Sequence, residues 1–291
     1  MVLLCRVPWL PHTTQRADID RCGGDTINMA LNFSPDTRQL PVLLATTNSP
    51  LPILLLLITC LPSLLLAAHY IRKDYHAFLA LGPGGTPSTP TGYARICILR
   101  LFTVRDPLSP PSTPPSLHPK HGQLPSSFPT RAGPRPTVAG IAPHRQTTQR
   151  ASKTMYVTLS NRIRELVNAH PSTLRAATSC FEKHSTGIFC MAGPAQRHAC
   201  DGEVCHSHPV DGSLHLTLHP ADVRAVLEKK WGERHPLAWD DGGGQWCWWW
   251  WAKSVPPGFV MIYAPRDERE LEVVMDIIRA AVWWVGGTEL K

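Results

Sequence analysis

Residues 206–219 read HSHPVDGSLHLTLH, and this stretch predicts a β-hairpin that carries histidines. Its second half, from Ser213 to His219, alternates leucines with polar residues, which is the two-residue period of a strand with one buried face. Asp211 and Gly212 are a strong two-residue turn signal, because glycine adopts positive φ at no steric cost. The stretch therefore predicts two antiparallel strands that both carry imidazoles.

The register of that hairpin decides which histidines face each other. A turn at Asp211-Gly212 places His208 opposite His215, and His206 opposite Thr217 on the same face. Three imidazoles within reach of one another have three interpretations, and the sequence leaves all of them open. They form a polar rim bonded to backbone and water, a general base tuned by its neighbours, or a facial metal site formed by His206, His208 and His215.

Apolar periodicity predicts the elements that surround the hairpin. In order along the chain they are a helix ending at His170-Pro171, a strand at 187–191, the hairpin, a helix opened by Pro220, a strand at 258–263, and a helix from Leu271 to Val282. This order predicts a small α+β domain over residues 152–291, with an antiparallel sheet and helices packed on one of its faces.

A second group of polar residues follows the helix that Pro220 opens. Trp231-Gly232 predicts the helix end, with Gly232 in the left-handed conformation, and Arg234 and His235 project from the corner after it. Arg234 could bind an enolate or carboxylate through two hydrogen bonds, or pair with Glu182 to brace the corner. Arg266 follows the strand at 258–263, and an ion pair with the acidic start of the last helix is its simpler interpretation.

An uncharged apolar run predicts a membrane span. No charged residue occurs between Arg38 and Arg72, and residues 51–71 are long enough to cross the hydrocarbon core as a helix. Arg72 and Lys73 follow the run directly, so the positive-inside rule predicts a single-pass protein with its C-terminal domain in the cytoplasm. That location argues against disulfides among the nine cysteines.

Further expectations concern zinc and the remaining segments. Cys200 and Cys205, next to the hairpin histidines, suggest a zinc site, but the chain lacks a second CxxC pair. Residues 1–50 are predicted to be poorly ordered, and residues 72–104 form a juxtamembrane segment. Residues 105–151 are a basic, proline-rich linker, since residues 107–136 hold ten prolines; it wraps the domain or stays extended. Without interleaved aromatics it gives no sign of a nucleic-acid partner.

Several blocks of this sequence resemble the fungal luciferases that oxidise 3-hydroxyhispidin, and their non-luminous relatives. The resemblance extends from about Ile71 to Val285, so it does not rest on one short motif. The blocks, in order, are Arg72 to Pro83, Arg135-Pro136, Arg145 to Gln149, Thr178 to Phe189, His206 to His215, Trp231 to Ala238 and Tyr263 to Arg266.

The resemblance implies a function that spacing alone does not. Those luciferases add molecular oxygen to a hydroxylated styryl-pyrone through a peroxidic intermediate, with no added organic cofactor. For this chain, the resemblance implies membrane attachment and oxygen-dependent chemistry on a small aromatic molecule, with oxygen as the co-substrate. Light emission is not expected. The catalytic candidates are then His206, His208, His215, Arg234 and His235, and the substrate-binding candidates are Glu182, His184, Trp231, Tyr263 and Arg266.

The sequence also departs from that family. The turn between His208 and His215 is one residue shorter, and the proline-rich segment is longer. Residues 239–256, with their run of tryptophans, have no counterpart and are either a membrane-interface insertion or a translated intron. Two further interpretations therefore stay open beside an oxygenase. One is a non-catalytic, membrane-tethered binding domain, and the other is a metal-dependent hydrolase at the histidines.

Overall fold

The computed structural model describes residues 50–194, 199–239 and 255–290. By contacts the chain divides into Met1–Ile71 and Arg72–Lys291. The prediction for residues 1–49 and the tryptophan run at 246–251 both lie outside the described residues.

Helix α1 covers Leu51–Ala80. Within the described part of the chain, Leu54–Ala80 is the single helix long and apolar enough to cross a membrane.

The centre of the second unit is an antiparallel sheet, as the sequence predicts, and it has six strands. The strands are β3 (Leu174–Thr178), β4 (Thr186–Cys190), β5 (Glu203–Ser207), β6 (Leu214–Thr217), β7 (Gly232–Arg234) and β8 (Phe259–Ile262). Their order in the sheet is β3-β4-β5-β6-β8-β7. The alternating leucines form β6, which lies between β5 and β8 at the middle of the sheet.

Three helices pack on one face of this sheet. They are α3 (Lys153–Ala169), α4 (Pro220–Glu228) and α5 (Glu268–Gly286). Helix α5 crosses β4, β5 and β6, and its apolar face meets Leu214 and Leu216, which are fully buried. Ser152 caps α3 by accepting a hydrogen bond from the backbone N–H of Met155, and Pro220 opens α4. The predicted α+β class and the one-sided packing of these helices are confirmed.

The opposite face of the sheet is covered as well, so β6 is not the half-buried strand that its alternation predicts. The cover is a short hairpin of β1 (Val138–Gly140) and β2 (His144–Gln146), together with α2 (Pro90–Leu99) and its flanking segments. His215 and Thr217, on the covered face of β6, are both buried. The alternation thus separates a leucine face under the helices from a polar face inside a second layer.

The hairpin register differs from the prediction. His206, not His208, pairs with His215, and Ser207 pairs with Leu214. The turn is longer than two residues, because the N–H of Gly212 donates to His208 O and the N–H of His208 donates to Ser213 O. The loop therefore takes two more residues from the first strand, and each residue of β6 pairs two positions earlier on β5 than predicted.

The proline-rich segment wraps the domain through specific hydrogen bonds. The backbone N–H groups of Gln123 and Leu124 donate to the two carboxylate oxygens of Asp222, each at 2.9 Å. Phe128 is buried against Trp231, and the Trp231 indole donates to Pro129 O. Prolines remove the backbone donors that a helix or inner strand requires, so the segment is held through side chains and isolated backbone groups.

Two local predictions are wrong. Lys230, rather than Gly232, has the left-handed conformation (φ 63°), and Gly232 begins strand β7. Cys180 and Cys200 form a disulfide, so the cysteines are not all unpaired, and Cys200 cannot join Cys205 in a zinc site. Cys205 itself is buried in the core under the helices.

Candidate functional site

Five histidines are buried together between the sheet and the layer that covers it. Three of them come from the hairpin strands, one from β2 and one from the corner after β7. The nearest pair is His208 and His215, whose ring centroids are 4.6 Å apart, and the other adjacent rings lie within 5.4 Å. The members are His144, His206, His208, His215 and His235, and the name histidine cluster is used for them below.

A β-bulge positions the carboxylate that orients His206. Cys205 pairs with Ile188 but Glu203 pairs with Phe189, so Val204 is the extra residue on β5. The bulge brings the Glu203 carboxylate to the same side as His206, whose Nδ1 lies 2.7 Å from it. Ser179 Oγ and the backbone N–H of Cys180 also donate to Glu203. Nδ1 of His206 therefore carries a proton, and Nε2 is the ring nitrogen left for another partner.

His208 is held by the turn that follows it. Ser213 Oγ donates to Asp211 Oδ1 at 2.7 Å, so it accepts from His208 Nδ1 at 2.8 Å. Asp211 also accepts from the backbone N–H groups of Ser213 and Gln146, which connects the turn to β2. Nε2 of His208 is then a buried lone pair, and no described residue hydrogen-bonds to it.

His215 ends a chain of polar groups that begins at Tyr263. The Tyr263 hydroxyl donates to Glu233 Oε2 at 3.0 Å, and Glu233 Oε1 lies 3.6 Å from His144 Nε2. This carboxylate favours the proton on Nε2 of His144, so its Nδ1 accepts from Nε2 of His215 at 3.0 Å. The remaining nitrogen of His215, Nδ1, carries a lone pair.

His235 differs from the other members because the backbone occupies both of its nitrogens. Its Nδ1 accepts from the N–H of Leu237 at 3.1 Å, and its Nε2 donates to Ile141 O at 2.9 Å. His235 therefore connects the corner after β7 to the segment between β1 and β2. It has no ring nitrogen left for a ligand.

Burial keeps the inner imidazoles neutral. It lowers the pKa of His208, His215 and His235 well below the usual histidine range, and repulsion from neighbouring cations, Arg145 beside His208 and the other histidines of the cluster, lowers it further. A group whose pKa is lowered stays deprotonated at neutral pH. The lone pairs that the hydrogen bonds leave on His208 and His215 are thus available at neutral pH.

The cluster lines one end of a cavity of about 340 Å³. That volume is within the range of sites for small organic ligands. His144, His206, His215 and His235 lie on its wall, whereas His208 lies behind them. The remaining wall includes aromatic, aliphatic and charged residues, among them Phe181, Phe259, Leu99, Leu237, Arg95 and Glu182.

Phe259 gives this cavity an aromatic surface. Its ring is stacked on that of His215, at a centroid distance of 5.1 Å and an angle of 21°. Phe181 lies 4.7 Å from the Phe259 ring centroid. Flat rings beside imidazole nitrogens are suited to a planar ligand with a polar edge.

A buried ion pair secures the cavity wall. The Arg145 guanidinium is hydrogen-bonded to the Glu182 carboxylate and to Pro83 O. Burial raises the pKa of Glu182, and Arg145 opposes this rise. Glu182 therefore pairs with Arg145. The pairing of Glu182 with Arg234, one of the two interpretations from the sequence, is wrong.

The other candidates from the sequence have structural partners outside the cluster. Arg234 donates to the carbonyls of Ser109 and Ala238 and does not line the cavity. Trp231 braces the proline-rich segment, and Arg266 forms the expected ion pair, with Glu270 as its partner. His184 is exposed and lines a second cavity of about 680 Å³ beside α3.

Sequence reasoning missed several residues that organise the site. His144 lies far from the hairpin in the chain, although the neighbouring Arg145 belongs to a block of the resemblance. Glu203 is three residues before His206, a spacing that points to the other face of a regular strand, so the bulge hid it. The residues missed in this way are Arg95, His144, Arg145, Glu203, Asp211 and Glu233.

Buried, carboxylate-oriented histidines at a ligand-sized cavity place this protein among α+β domains with a site for a small molecule. Residues 201–281 match the luciferase domain family. The chain is 32% identical to a luciferase of Armillaria mellea, over 76% of this chain and 84% of the relative. Identity is 33% to a luciferase of Armillaria ostoyae (76% and 83%) and 31% to one of Neonothopanus nambi (74% and 81%).

This chain belongs to the fungal luciferase family. No solved structure matches it.

Proposed function

We propose that this protein is an oxygen-dependent oxidase or oxygenase of a small hydroxylated aromatic molecule, such as a hydroxy-pyrone or phenol. The observation that carries the proposal is the cavity wall, where the imidazoles of His206 and His215 lie beside the Phe259 ring. Kinship with proteins described as luciferases supports the same chemistry.

The histidines would prepare such a substrate for oxygen. An acidic hydroxyl that loses its proton to an imidazole nitrogen becomes an enolate or phenolate, and its ring carbon becomes electron-rich. That carbon forms a bond to dioxygen, the oxygen is reduced to a peroxide, and the proton returns from the imidazole to the peroxide. Because the substrate supplies the electrons, this step requires no organic cofactor.

Glu203 and the Tyr263-Glu233-His144 chain would assist the proton transfer. A carboxylate that accepts a hydrogen bond from the far nitrogen of an imidazole fixes its tautomer and stabilises the cation that forms. His206 has such a partner at 2.7 Å, and His215 reaches one through His144. Arg95, on the cavity wall, would attract the negative charge of the enolate.

The alternative of a non-catalytic binding domain predicts collapsed packing around the histidines. The 340 Å³ cavity favours the enzyme, although its wall includes His144 and Arg95 where the sequence led us to expect His208 and Arg234. A metal-dependent hydrolase shares the histidines, but kinship with luciferases gives it no support.

We further propose that α1 tethers the domain to a membrane in a single pass, with lipid as its partner. Its apolar side chains from Leu54 to Leu66 are more than half exposed, which is costly in water. Arg72 and Lys73 favour the cytoplasmic side for the domain. The Cys180–Cys200 disulfide opposes this side, because disulfides persist mainly in oxidising compartments. Protection of the C-terminal domain from added protease in sealed membrane vesicles would distinguish the two orientations.

Oxygen consumption by the detergent-solubilised full chain tests the activity. We expect uptake with 3-hydroxyhispidin or a simpler phenolic pyrone, loss of uptake in His206→Gln, and retention in His121→Gln, whose histidine is exposed in the wrapping segment. Absence of uptake above a heat-killed control, by protein that still unfolds cooperatively, would overturn the proposal.

A further inference from the structure

We propose that His206, His208 and His215 form a binding site for one divalent first-row transition-metal ion. One nitrogen from each of the three rings lies within 4.8 Å of the other two. Neutral imidazole is a preferred ligand of zinc, iron, copper and nickel, and three imidazoles with open positions form a recognised metal site. The inference deepens the proposed function, because a bound ion would replace the nitrogens of His206 and His215 as the group that promotes ionisation of the substrate hydroxyl. It relies on that function for the ligand that completes the coordination.

The hydrogen bonds leave the nitrogens that a metal requires. Nδ1 of His206 and Nδ1 of His208 are bound to Glu203 and Ser213, so Nε2 of each ring remains. Nε2 of His215 is bound to His144, so Nδ1 remains. A metal ion bound by these three nitrogens would leave all of these hydrogen bonds in place.

His208 supplies the observation that points most directly to a ligand. Its ring is fully buried, and its Nε2 has no hydrogen-bond partner among the described residues. Buried polar atoms of native proteins nearly always have a partner, and one without a partner requires an explanation. Because this nitrogen accepts but does not donate, a metal ion would satisfy it.

The outer partners of the three rings match those of known metal sites. Histidine ligands usually donate their second nitrogen to a carboxylate or another acceptor, which fixes the tautomer and raises the basicity of the ligand. His206 donates to Glu203, His208 reaches Asp211 through Ser213, and His215 reaches Glu233 through His144. Each ring is thus connected to a carboxylate.

A second trio, His144, His215 and His235, has equally close nitrogens but does not fit a metal. Both nitrogens of His235 are bound to the backbone, and His144 and His215 share a hydrogen bond of 3.0 Å. Binding there would break several of these bonds. A third group, Cys180, Cys200 and Glu203, is excluded because the two thiols are joined in a disulfide.

The cavity supplies the open coordination positions. His206 and His215 line it while His208 lies behind, so an ion held by all three would border the cavity. A deprotonated hydroxyl of an aromatic substrate would then complete the coordination, and its negative charge would be stabilised by the metal. This end of the cavity would bind the ionised oxygen of the substrate.

Zinc and cobalt titrations of the metal-stripped, detergent-solubilised full chain test the site. We expect one Zn²⁺ per chain by calorimetry, and visible Co²⁺ absorption bands that Zn²⁺ abolishes. His208→Gln should weaken binding by at least 100-fold, and Ser213→Ala, which removes only the outer partner, by about 10–100-fold. His121→Gln is the matched control and should bind as the unmodified chain does.

Each outcome is decisive. Absence of stoichiometric Zn²⁺ binding by folded protein would overturn the inference, as would binding by His208→Gln as tight as that by the unmodified chain. Loss of binding in His235→Asn with retention in His208→Gln would assign the ion to the second trio instead. Metal binding without oxygen uptake contradicts the proposed function alone, and oxygen uptake by folded protein that binds no Zn²⁺ contradicts this inference alone.

Discussion

Glu203 and His206 lie on the same strand, three residues apart, and yet the Glu203 carboxylate accepts a hydrogen bond from His206 Nδ1 at 2.7 Å. Side chains three apart on a regular strand point to opposite faces, and the extra residue Val204 removes that difference. Since the bulge gives the ring its carboxylate partner, we regard it as part of the site.

Replacing this carboxylate should reduce activity more than stability. In Glu203→Gln the amide oxygen can still accept from His206, but the negative charge that favours a cationic or metal-bound ring is lost. We expect oxygen uptake to fall by about 10–100-fold, with little change in KM. Steady-state oxygen consumption checks this, with the exposed Glu228→Gln as the control. Unchanged turnover in Glu203→Gln would show that the Glu203 carboxylate does not contribute to the reaction.

Asp222 should hold the wrapping segment against the domain. Its two carboxylate oxygens accept from Gln123 and Leu124, and an amide in Asp222→Asn presents an NH₂ group to one of these donors. We expect a loss of about 1–3 kcal/mol in the free energy of unfolding, and faster tryptic cleavage after Lys120. Urea unfolding and limited proteolysis measure the two effects.

The control for this prediction is the exposed Asp276, whose partner Arg279 is on the same helix. Asp276→Asn should change stability by less than about 1 kcal/mol. If both variants unfold at the same urea concentration, the segment is not held by Asp222.

The sequence predicted those parts of the fold that depend on local pattern. Leucine alternation identified β6, and Pro220 marked the start of α4, because both signals act within a few residues. The hairpin register was not predictable in the same way. The Asp211 side chain accepts a hydrogen bond from Gln146, which is far away in sequence, and the observed turn is longer than two residues. Each residue of β6 therefore pairs two positions earlier on β5 than a two-residue turn would give.

The site was predicted only in part, for a similar reason. His206, His208 and His215 share a hairpin, so spacing brought them together. His144 joins them through the packing of β2 over the sheet, which no periodicity reveals. Arg234 was expected at the site because it follows a helix in a polar motif. Its guanidinium turns instead to the backbone of the segment that contains Ser109.

The Arg145–Glu182 pair should be strongly coupled. Both side chains are buried, so Arg145→Met leaves an unpaired carboxylate in the cavity wall, at a cost of about 3–5 kcal/mol. Replacing both residues by methionine removes the unpaired charge, and we expect the double variant to be more stable than Arg145→Met. A double-mutant cycle by urea unfolding measures the coupling. Additive losses would show that the two residues act independently.

Cys190 and Cys205 should resist alkylation until the domain unfolds. Burial raises the pKa of Cys190 to about 12, and it raises that of Cys205 beyond the usual thiol range. A thiol reacts as the thiolate, so at pH 8 both side chains are protonated as well as inaccessible. Iodoacetamide at pH 8 followed by peptide mass spectrometry should leave both unmodified in native protein and modify both in urea. Modification of Cys205 in native protein would mean that the sheet opens beside His206, which would also contradict a rigid histidine cluster.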